Sequence, residues 1–194
     1  ELKGFEEKNG AYRPTRKTPS LGFVGPNWLD QRQAASAYTD CEPTVLIIGG
    51  GQAGLTIAAR LTQLGVDNLI VDKHARIGDN WRQRYHSLTL HNQVQVNHLP
   101  YMPFPPTWPT YIPKDMLANW FEAYVDAMEL NYWTGTEVID GAYDDTNHNW
   151  IINLKSLEGN TRCLKPRHIV MATGASGIPN IPNIPTIEHY KGPI

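Results

Sequence analysis

Three glycines in the stretch TVLIIGGGQAGLTIAARLTQLGVDNLIVDK have the spacing of a phosphate-binding turn. Gly49, Gly51 and Gly54 follow the pattern G-x-G-x-x-G, in which the first permits a tight turn and the second lets a diphosphate approach the backbone. The third lets a helix pack closely on a strand. Asp72 closes the next apolar run, where a carboxylate can accept both hydrogen bonds of an adenosine ribose. The pattern predicts a dinucleotide site without separating NAD from FAD.

The apolar residues around these glycines predict the elements that position them. TVLII is a continuous apolar run, which is typical of a parallel strand covered on both faces. In the segment that follows, a helical period places four apolar residues on one face, namely Ile57, Ala58, Leu61 and Leu64. Gly65 is a natural stop for this helix. The N-terminus of the helix offers free N–H groups to an anion, so the assembly favours a nucleotide site over a glycine-rich turn without ligand.

Further elements are predicted downstream. A helix from Lys114 has one broad apolar face, which we interpret as core packing: Met116, Leu117, Trp120, Phe121, Tyr124, Val125 and Met128. The segments GTEVIDGAYD, NWIINLKS and TRCLKP are half-alternating and predict a three-stranded antiparallel meander. RHIVMATG predicts a buried strand that returns beside the first strand, with its turn at Gly174 near the ligand.

Composition narrows the class of protein. The 194 residues suit one ordinary domain, and a net charge of -2 argues against a nucleic-acid partner. Cys41 and Cys163 form neither a C-x-x-C pair nor a metal-ligand spacing, and they favour a reducing, cytoplasmic setting. No run is long enough to span a bilayer. Three histidines of one irregular segment, His86, His91 and His98, lack the spacing of a metal site, so we expect no metal.

The segment after Asp72 helps to distinguish an NAD site from an FAD site. A plain NAD-dependent dehydrogenase would continue with alternating strands and helices. This chain continues with KHARIGDNWRQRYHSLTLHNQVQVNHLPYMPFPPTWPTYIP, an aromatic and proline-rich excursion. A long segment of this kind in a compact domain is usually functional.

Five motifs in order resemble class B flavoprotein monooxygenases, the family of flavin-containing and YUCCA-type monooxygenases. GGGQAGL resembles their FAD diphosphate loop, and IGDNW resembles their glycine-glycine-x-tryptophan turn, with Asp79 where the second glycine often sits. SLTLHNQVQVNHLPYMPFP with YIPKDMLANWFEAYV resembles a YUCCA-type segment that ends in a tyrosine-x-x-lysine helix. VMATGASGIPNIPNIP is similar to the ATG hinge, and HYKGPI to the opening of an F-x-G-x-x-x-H signature. The resemblance runs from Thr44 to Ile194.

The resemblance implies a fold and a chemistry. The implied fold is α/β: a Rossmann-like FAD-binding domain with a parallel sheet and an inserted antiparallel three-stranded meander, without the NADPH domain. The implied cofactors are FAD and NADPH, and the implied reaction transfers one oxygen atom of O2 to a small organic substrate. Two alternatives remain: a pyridine nucleotide-disulfide type FAD oxidoreductase, which would use a close cysteine pair, and a non-catalytic nucleotide-binding module.

The resemblance also implies site residues. Trp81 either contacts the flavin or fills the core, and Val138 is expected near the adenine. His91 and Asn92 are the catalytic candidates, because a histidine N–H can support a flavin oxygen, although each can equally serve an internal loop hydrogen bond. The cofactor-binding candidates are Gly49, Gly51, Gln52, Ala53, Gly54, Asp72, Lys73, Asn80, Trp81, Val138, Ala172, Thr173 and Gly174.

The domain organisation follows from the same patterns. Residues 1–42 have linker composition with one plausible helix, from Trp28 to Tyr38, and we expect them to join an upstream domain. Residues 43–178 form the FAD-binding domain. Residues 179–194 are a proline-rich connector towards an NADPH-binding domain, because a second G-x-G-x-x-G is expected of the family and this sequence holds one.

Overall fold

The structure is a computed structural model that describes residues 25–175, 177, 180 and 182–192. The first part of the predicted linker and Pro179, the start of the predicted connector, lie outside these residues. The chain divides into two units, Glu1–Thr39 and Asp40–Ile194. The first unit contains α1 (Trp28–Ser36), which confirms the helix predicted in this region. Its start is fixed by a capping box between Asn27 and Asp30.

The second unit is built on a parallel four-stranded sheet. Its strands are β1 (Val45–Ile48), β2 (Asn68–Val71), β3 (Tyr132–Trp133) and β7 (His168–Met171), and they lie in the order β3-β2-β1-β7. β2 is buried along its length and β1 nearly so, as their continuous apolar runs predicted. β3 was not predicted, because a two-residue strand carries no readable period.

The register of the sheet determines where the glycine turn lies. Ile48 at the end of β1 pairs with Val71 of β2 and with Met171 of β7. The three carboxyl ends therefore lie level, so that Gly49, Asp72 and Ala172 leave the sheet at one edge. This is the edge at which open α/β sheets bind their ligands.

One predicted feature of β7 is wrong. The strand returns beside β1 as expected, but it is not buried: His168 and Met171 are exposed, and Met171 is 66% exposed. The physical reason is that β7 is the outer strand of the described sheet, so one side has no neighbouring strand to cover it.

Two helices complete the core. In α2 (Gln52–Gln63) the buried residues are Gly54, Leu55, Ala58 and Ala59, whereas Leu64, predicted on the buried face, is exposed because the helix ends before it. Gly65 follows with a positive φ of 70°, as expected of a stop. α4 (Lys114–Ala127) buries Leu117, Ala118, Phe121, Tyr124 and Val125, which confirms its predicted apolar face.

The aromatic excursion is an ordered wall packed on α4. Leu90 N donates to Ile112 O, which joins the middle of the excursion to its end. The Phe104 and Trp108 rings stack with centroids 5.0 Å apart, and Trp120 of α4 lies edge-on to Trp108 at 5.1 Å. The excursion contains the one-turn helix α3 (Asp79–Arg82) and a 3-10 helix (Val94–Val96).

The predicted meander is confirmed as a separate antiparallel sheet. Its strands are β4 (Thr136–Asp144), β5 (Asn149–Ser156) and β6 (Thr161–Leu164). A bulge follows Val138, where the pairing with β5 shifts. The meander begins directly beside the site edge, because Thr136 N donates to Asp72 O. A short 3-10 helix (Ile187–His189) lies near the end of the described residues.

Within the described ranges, every helix is too short or too polar to cross a bilayer.

Candidate functional site

The glycine turn presents the N-terminus of α2 at the level edge of the sheet. Gly51 caps the helix without a side-chain hydrogen bond, and the first bond within the helix runs from Leu55 N to Gly51 O. The amides that precede Leu55 in the first turn therefore have no partner inside the helix. They form a place where an anion is stabilised by N–H groups and by the helix dipole.

Each glycine of the turn meets a different neighbour. A Cβ on Gly49, whose φ is +106°, would overlap the backbone of Ala172, and a Cβ on Gly54 would overlap Gly49 O. A Cβ on Gly51 would meet Asn80 Nδ2 at 3.2 Å and nothing else within 4 Å. The side of the turn at Gly51 is thus open apart from one amide side chain. This arrangement fits a diphosphate, which needs close access to the backbone at the second glycine.

Asp72 supports the turn directly. Its carboxylate is 9% exposed, and Oδ2 accepts a hydrogen bond from Gly50 N at 2.7 Å. Oδ1 accepts from His74 N at 2.8 Å and lies 2.6 Å from His74 Nδ1. A carboxylate has about four lone-pair sites, so one site on Oδ2 remains for an external hydroxyl. Sequence reasoning missed the contribution of His74, because nothing in its spacing marks a partner of Asp72.

Tyr132 supports the turn from behind and was also missed. Its hydroxyl donates to Gly50 O at 3.3 Å, and a Cβ on Gly50 would overlap the phenol. Burial strongly raises the pKa of the Tyr132 hydroxyl, with the charges of Asp72 and Asp79 adding to the shift, so the group stays protonated and able to donate. The only available signal was the tyrosine itself, on a strand too short to be predicted.

The one-turn helix α3 brings one predicted residue, Asn80, to the glycine turn. Gly78 begins it with a φ of +87°, and its Cα faces Ala118 so closely that a Cβ would lie 2.6 Å from Ala118 O. This approach fixes Asn80 over Gly51. The indole Nε1 of Trp81 is buried and has no hydrogen-bond partner among the described residues. The Trp81 ring packs against the apolar core, so the described contacts support the core-filling role of this residue.

Charged contacts hold α3 against α4. The Arg82 guanidinium donates to Ile77 O at 2.6 Å and to Asn119 Oδ1 at 3.0 Å, and it pairs with Glu122 at 3.0 Å. Arg76 also donates to Glu122. The hydrogen bond from Arg76 lowers the pKa of the Glu122 carboxyl, with the charge of Arg82 adding to it.

This contact predicts a pH effect on stability. Because the folded pKa of Glu122 is lowered, its contribution is present above the ordinary value of 4.5 and is lost as pH falls through the folded pKa. We expect Glu122→Gln to cost below ~1 kcal/mol at neutral pH, since the pair is partly exposed. Melting temperatures should then decline less steeply in the variant than in the parent below about pH 4.5. If the melting temperatures of the two proteins fall in parallel below this pH, the assignment of the pH effect to Glu122 is wrong.

The other predicted residues lie at different distances from the turn. Ala172 and Thr173 form its wall next to Gly49. The Gln52 side chain donates to Asn97 O at 3.3 Å and so ties α2 to the excursion. The remaining candidates are less involved in the described structure: Ala53, Lys73, His91, Asn92 and Gly174 are exposed, and Val138 lies at the meander bulge.

Within the residues that the structure describes, no three histidine, cysteine, aspartate or glutamate side chains converge as a metal site would require. His98 is engaged differently, since its Nδ1 accepts a hydrogen bond from Phe104 N at 3.0 Å.

Comparison with known proteins gives a consistent result. Residues 46–192 match the family described as pyridine nucleotide-disulphide oxidoreductase. A curated relative from Arabidopsis thaliana, the probable indole-3-pyruvate monooxygenase YUCCA10, is 31% identical over 155 residues, which cover 79% of this chain and 40% of the relative. The chain therefore spans about two fifths of the length of that relative.

Solved structures share the fold. The OTEMO complex with FAD and NADP is 21% identical with a TM-score of 0.64, covering 77% of this chain and 29% of that one. The bacillithiol disulfide reductase Bdr from Bacillus cereus is 21% identical with a TM-score of 0.66, covering 74% of this chain and 43% of that one. At these identities the likeness establishes the architecture alone.

Proposed function

The chain belongs to the pyridine nucleotide-disulphide oxidoreductase family, as a class B flavoprotein monooxygenase, and on this basis we propose that it is the FAD-binding part of an NADPH-dependent monooxygenase. The observation that carries the proposal is the open face of Gly51 beside the free first-turn amides of α2 and the buried carboxylate of Asp72. These are the groups that the ADP half of FAD requires.

Different residues of the site would bind different parts of FAD. The amides of the first turn and the Asn80 side chain would bind the diphosphate, since both border the open side of Gly51. Asp72 would accept one ribose hydroxyl through its remaining Oδ2 site. The Trp81 ring packs against the apolar core and would hold α3, and with it Asn80, beside the diphosphate.

The bound flavin supplies the redox chemistry, in which electrons from NADPH reach O2 and one oxygen atom passes to a small organic substrate. The side chains of this chain would hold and orient the cofactor and exclude water from it. We assign His91 and Asn92 to the substrate side of the flavin as a proposal from the family resemblance. Their exposure in the described structure leaves both side chains available for contacts with a ligand.

Use of NADPH and the substrate class belong to the whole protein. The proposal of NADPH is supported by family membership and by the OTEMO structure, which is described as a complex with FAD and NADP. The substrate class is supported by the relative from Arabidopsis thaliana, whose name states an indole-3-pyruvate monooxygenase. We propose a soft nucleophile, a ketone or a keto acid as the oxygen acceptor.

Asp72 gives a direct test of the cofactor assignment. We expect Asp72→Ala to weaken FAD binding by ~1 to 3 kcal/mol, because the ribose loses a charged acceptor. Fluorescence quenching during titration with FAD measures the effect. Asp72→Asn is the matched variant, since its amide oxygen can still accept from Gly50 N while the charge is lost.

Asp126→Ala serves as the control for this titration, because Asp126 is an exposed carboxylate of α4. FAD affinity should be unchanged in the control and reduced in both Asp72 variants. Equal affinity in all four proteins would place the ribose elsewhere and refute the assignment of Asp72.

A disulfide reductase is the second candidate, because the Bdr structure shares the fold. The two enzymes are separated by supplying the full-length protein with NADPH and isotopically labelled O2. The monooxygenase places one labelled atom in the product, whereas the reductase converts a disulfide to thiols without incorporating label. Both cysteines here, Cys41 and Cys163, are free and exposed, and their spacing does not suggest a redox pair.

A further inference from the structure

Lys114 occupies a position that is locally unfavourable for a lysine. The residue is 7% exposed, although lysine is rarely buried without a specific partner. It is also the first residue of α4, where the helix dipole disfavours a positive charge. Neither burial nor helix formation accounts for this residue, so its contacts must explain it.

Those contacts join three segments beside the cofactor site. Lys114 Nζ donates to Arg82 O, the last carbonyl of α3, at 2.9 Å. The backbone N of Lys114 donates to Leu88 O, which lies within the excursion, at 3.0 Å. The ammonium is further balanced by Asp115 Oδ1 at 2.7 Å, although the Asp115 side chain is 61% exposed and so is a weak partner.

The end of α3 that Lys114 holds is the turn that carries Asn80 and Trp81. The other end is fixed by the close approach of Gly78 to Ala118. A helix of one turn has few internal hydrogen bonds, so its orientation depends on such external contacts. With the lysine removed, the carbonyl of Arg82 loses this buried donor, and the C-terminal end of α3 is then held by the Arg82 guanidinium, whose contacts with Asn119 and Glu122 are partly exposed.

We propose that Lys114 is a positioning residue for the cofactor site: it fixes α3 so that Asn80 lies over Gly51. This role rests on the proposed binding of FAD at the glycine turn. It explains why a lysine is kept where both the helix dipole and burial disfavour it, since a local conflict of this kind is expected at functional positions. Lys114 touches neither cofactor nor substrate and acts through α3.

The test uses Lys114→Met, which keeps the length and apolar stem of the side chain and removes its charge. FAD affinity should fall about tenfold, the scale for losing a group that supports a ligand-binding residue. The melting temperature without FAD should change little, because the lost hydrogen bond to Arg82 O is offset by removal of a buried charge at a helix N-terminus. A loss of affinity without a fall in melting temperature distinguishes positioning from structural support.

Two further variants and the unmodified chain complete the test. Lys155→Met removes an exposed lysine of β5 and should change neither quantity. Lys114→Gln retains an N–H donor and should recover part of the affinity. The proposal is overturned by unchanged FAD affinity in Lys114→Met, or by a loss of affinity that accompanies a clear fall in melting temperature. If the unmodified chain binds no FAD, the proposed function itself fails, which separates the two failures.

Discussion

Replacing Gly50 by alanine is expected to lower the melting temperature by about 10 °C and to abolish FAD binding. The new methyl group would overlap the Tyr132 phenol, which already packs on the backbone of the turn. Overpacking at a constrained site costs about 3 kcal/mol, and for a chain of this size each kcal/mol shifts the midpoint by about 2–4 °C. Gly50, which lies between the motif glycines Gly49 and Gly51, is therefore required by the packing of the turn.

A double-mutant cycle tests the stated cause. Tyr132→Ala removes the ring, so Gly50→Ala should be less destabilising in that background by about 2 kcal/mol. Tyr132→Phe should not relieve the overlap, because a Cβ on Gly50 would still meet the ring carbons. If the effects of the two substitutions on the free energy of unfolding are additive, the strain arises elsewhere. The contact with Tyr132 then does not limit the size of the side chain at position 50.

Replacing the adjacent Gly51 by valine is expected to give the opposite pattern, with the fold kept and the cofactor lost. Gly51 has φ -80° and ψ -168°, which a β-branched residue adopts readily. Its Cβ would meet only the Asn80 amide, a side chain that can move. The branched side chain then blocks the diphosphate from at least two amide donors, each of which contributes about 1.5–3 kcal/mol to a charged acceptor.

The measurement compares FAD affinity and melting temperature across Gly51, Gly51→Ala and Gly51→Val. Affinity should fall in steps and drop by roughly 100-fold or more in the valine variant, while the melting temperature changes by less than about 3 °C. A valine variant that stays loaded with FAD would mean that the phosphates bind elsewhere. A folded but empty Gly51→Val beside an unstable Gly50→Ala would separate a ligand requirement from a packing requirement in adjacent residues.

The parts of this fold that could be predicted are those whose elements are adjacent in sequence. β1, the glycine turn, α2 and β2 follow one another, and each has a period or a stop signal of its own. The meander was readable for the same reason. The exposure of β7 was predicted wrongly, because burial of a strand depends on its neighbours in the sheet and no local pattern shows whether a strand lies at an edge.

The parts of the site that were missed come from distant segments. Tyr132 reaches Gly50 from a two-residue strand, and His74 reaches Asp72 through a turn that has no sequence signature. Lys114 could be noticed as a motif residue, but its contact with Arg82 O joins residues that only the fold brings together. Sequence spacing predicts which backbone binds the phosphate, whereas the residues that stiffen that backbone depend on tertiary packing.

The pairing of β1 with β7 has a consequence for the order of assembly during synthesis. Val45 pairs with His168, so β1 cannot form its hydrogen bonds on that side until residues up to β7 have left the ribosome. At about 5–20 residues per second, that delay is on the order of ten seconds. The strands of the meander are sequential, so each can pair with the preceding strand as soon as it has emerged. The wall that Ala172 provides for Gly49 therefore forms well after β1, α2 and β2, and the glycine turn gains this wall only once β7 has paired with β1.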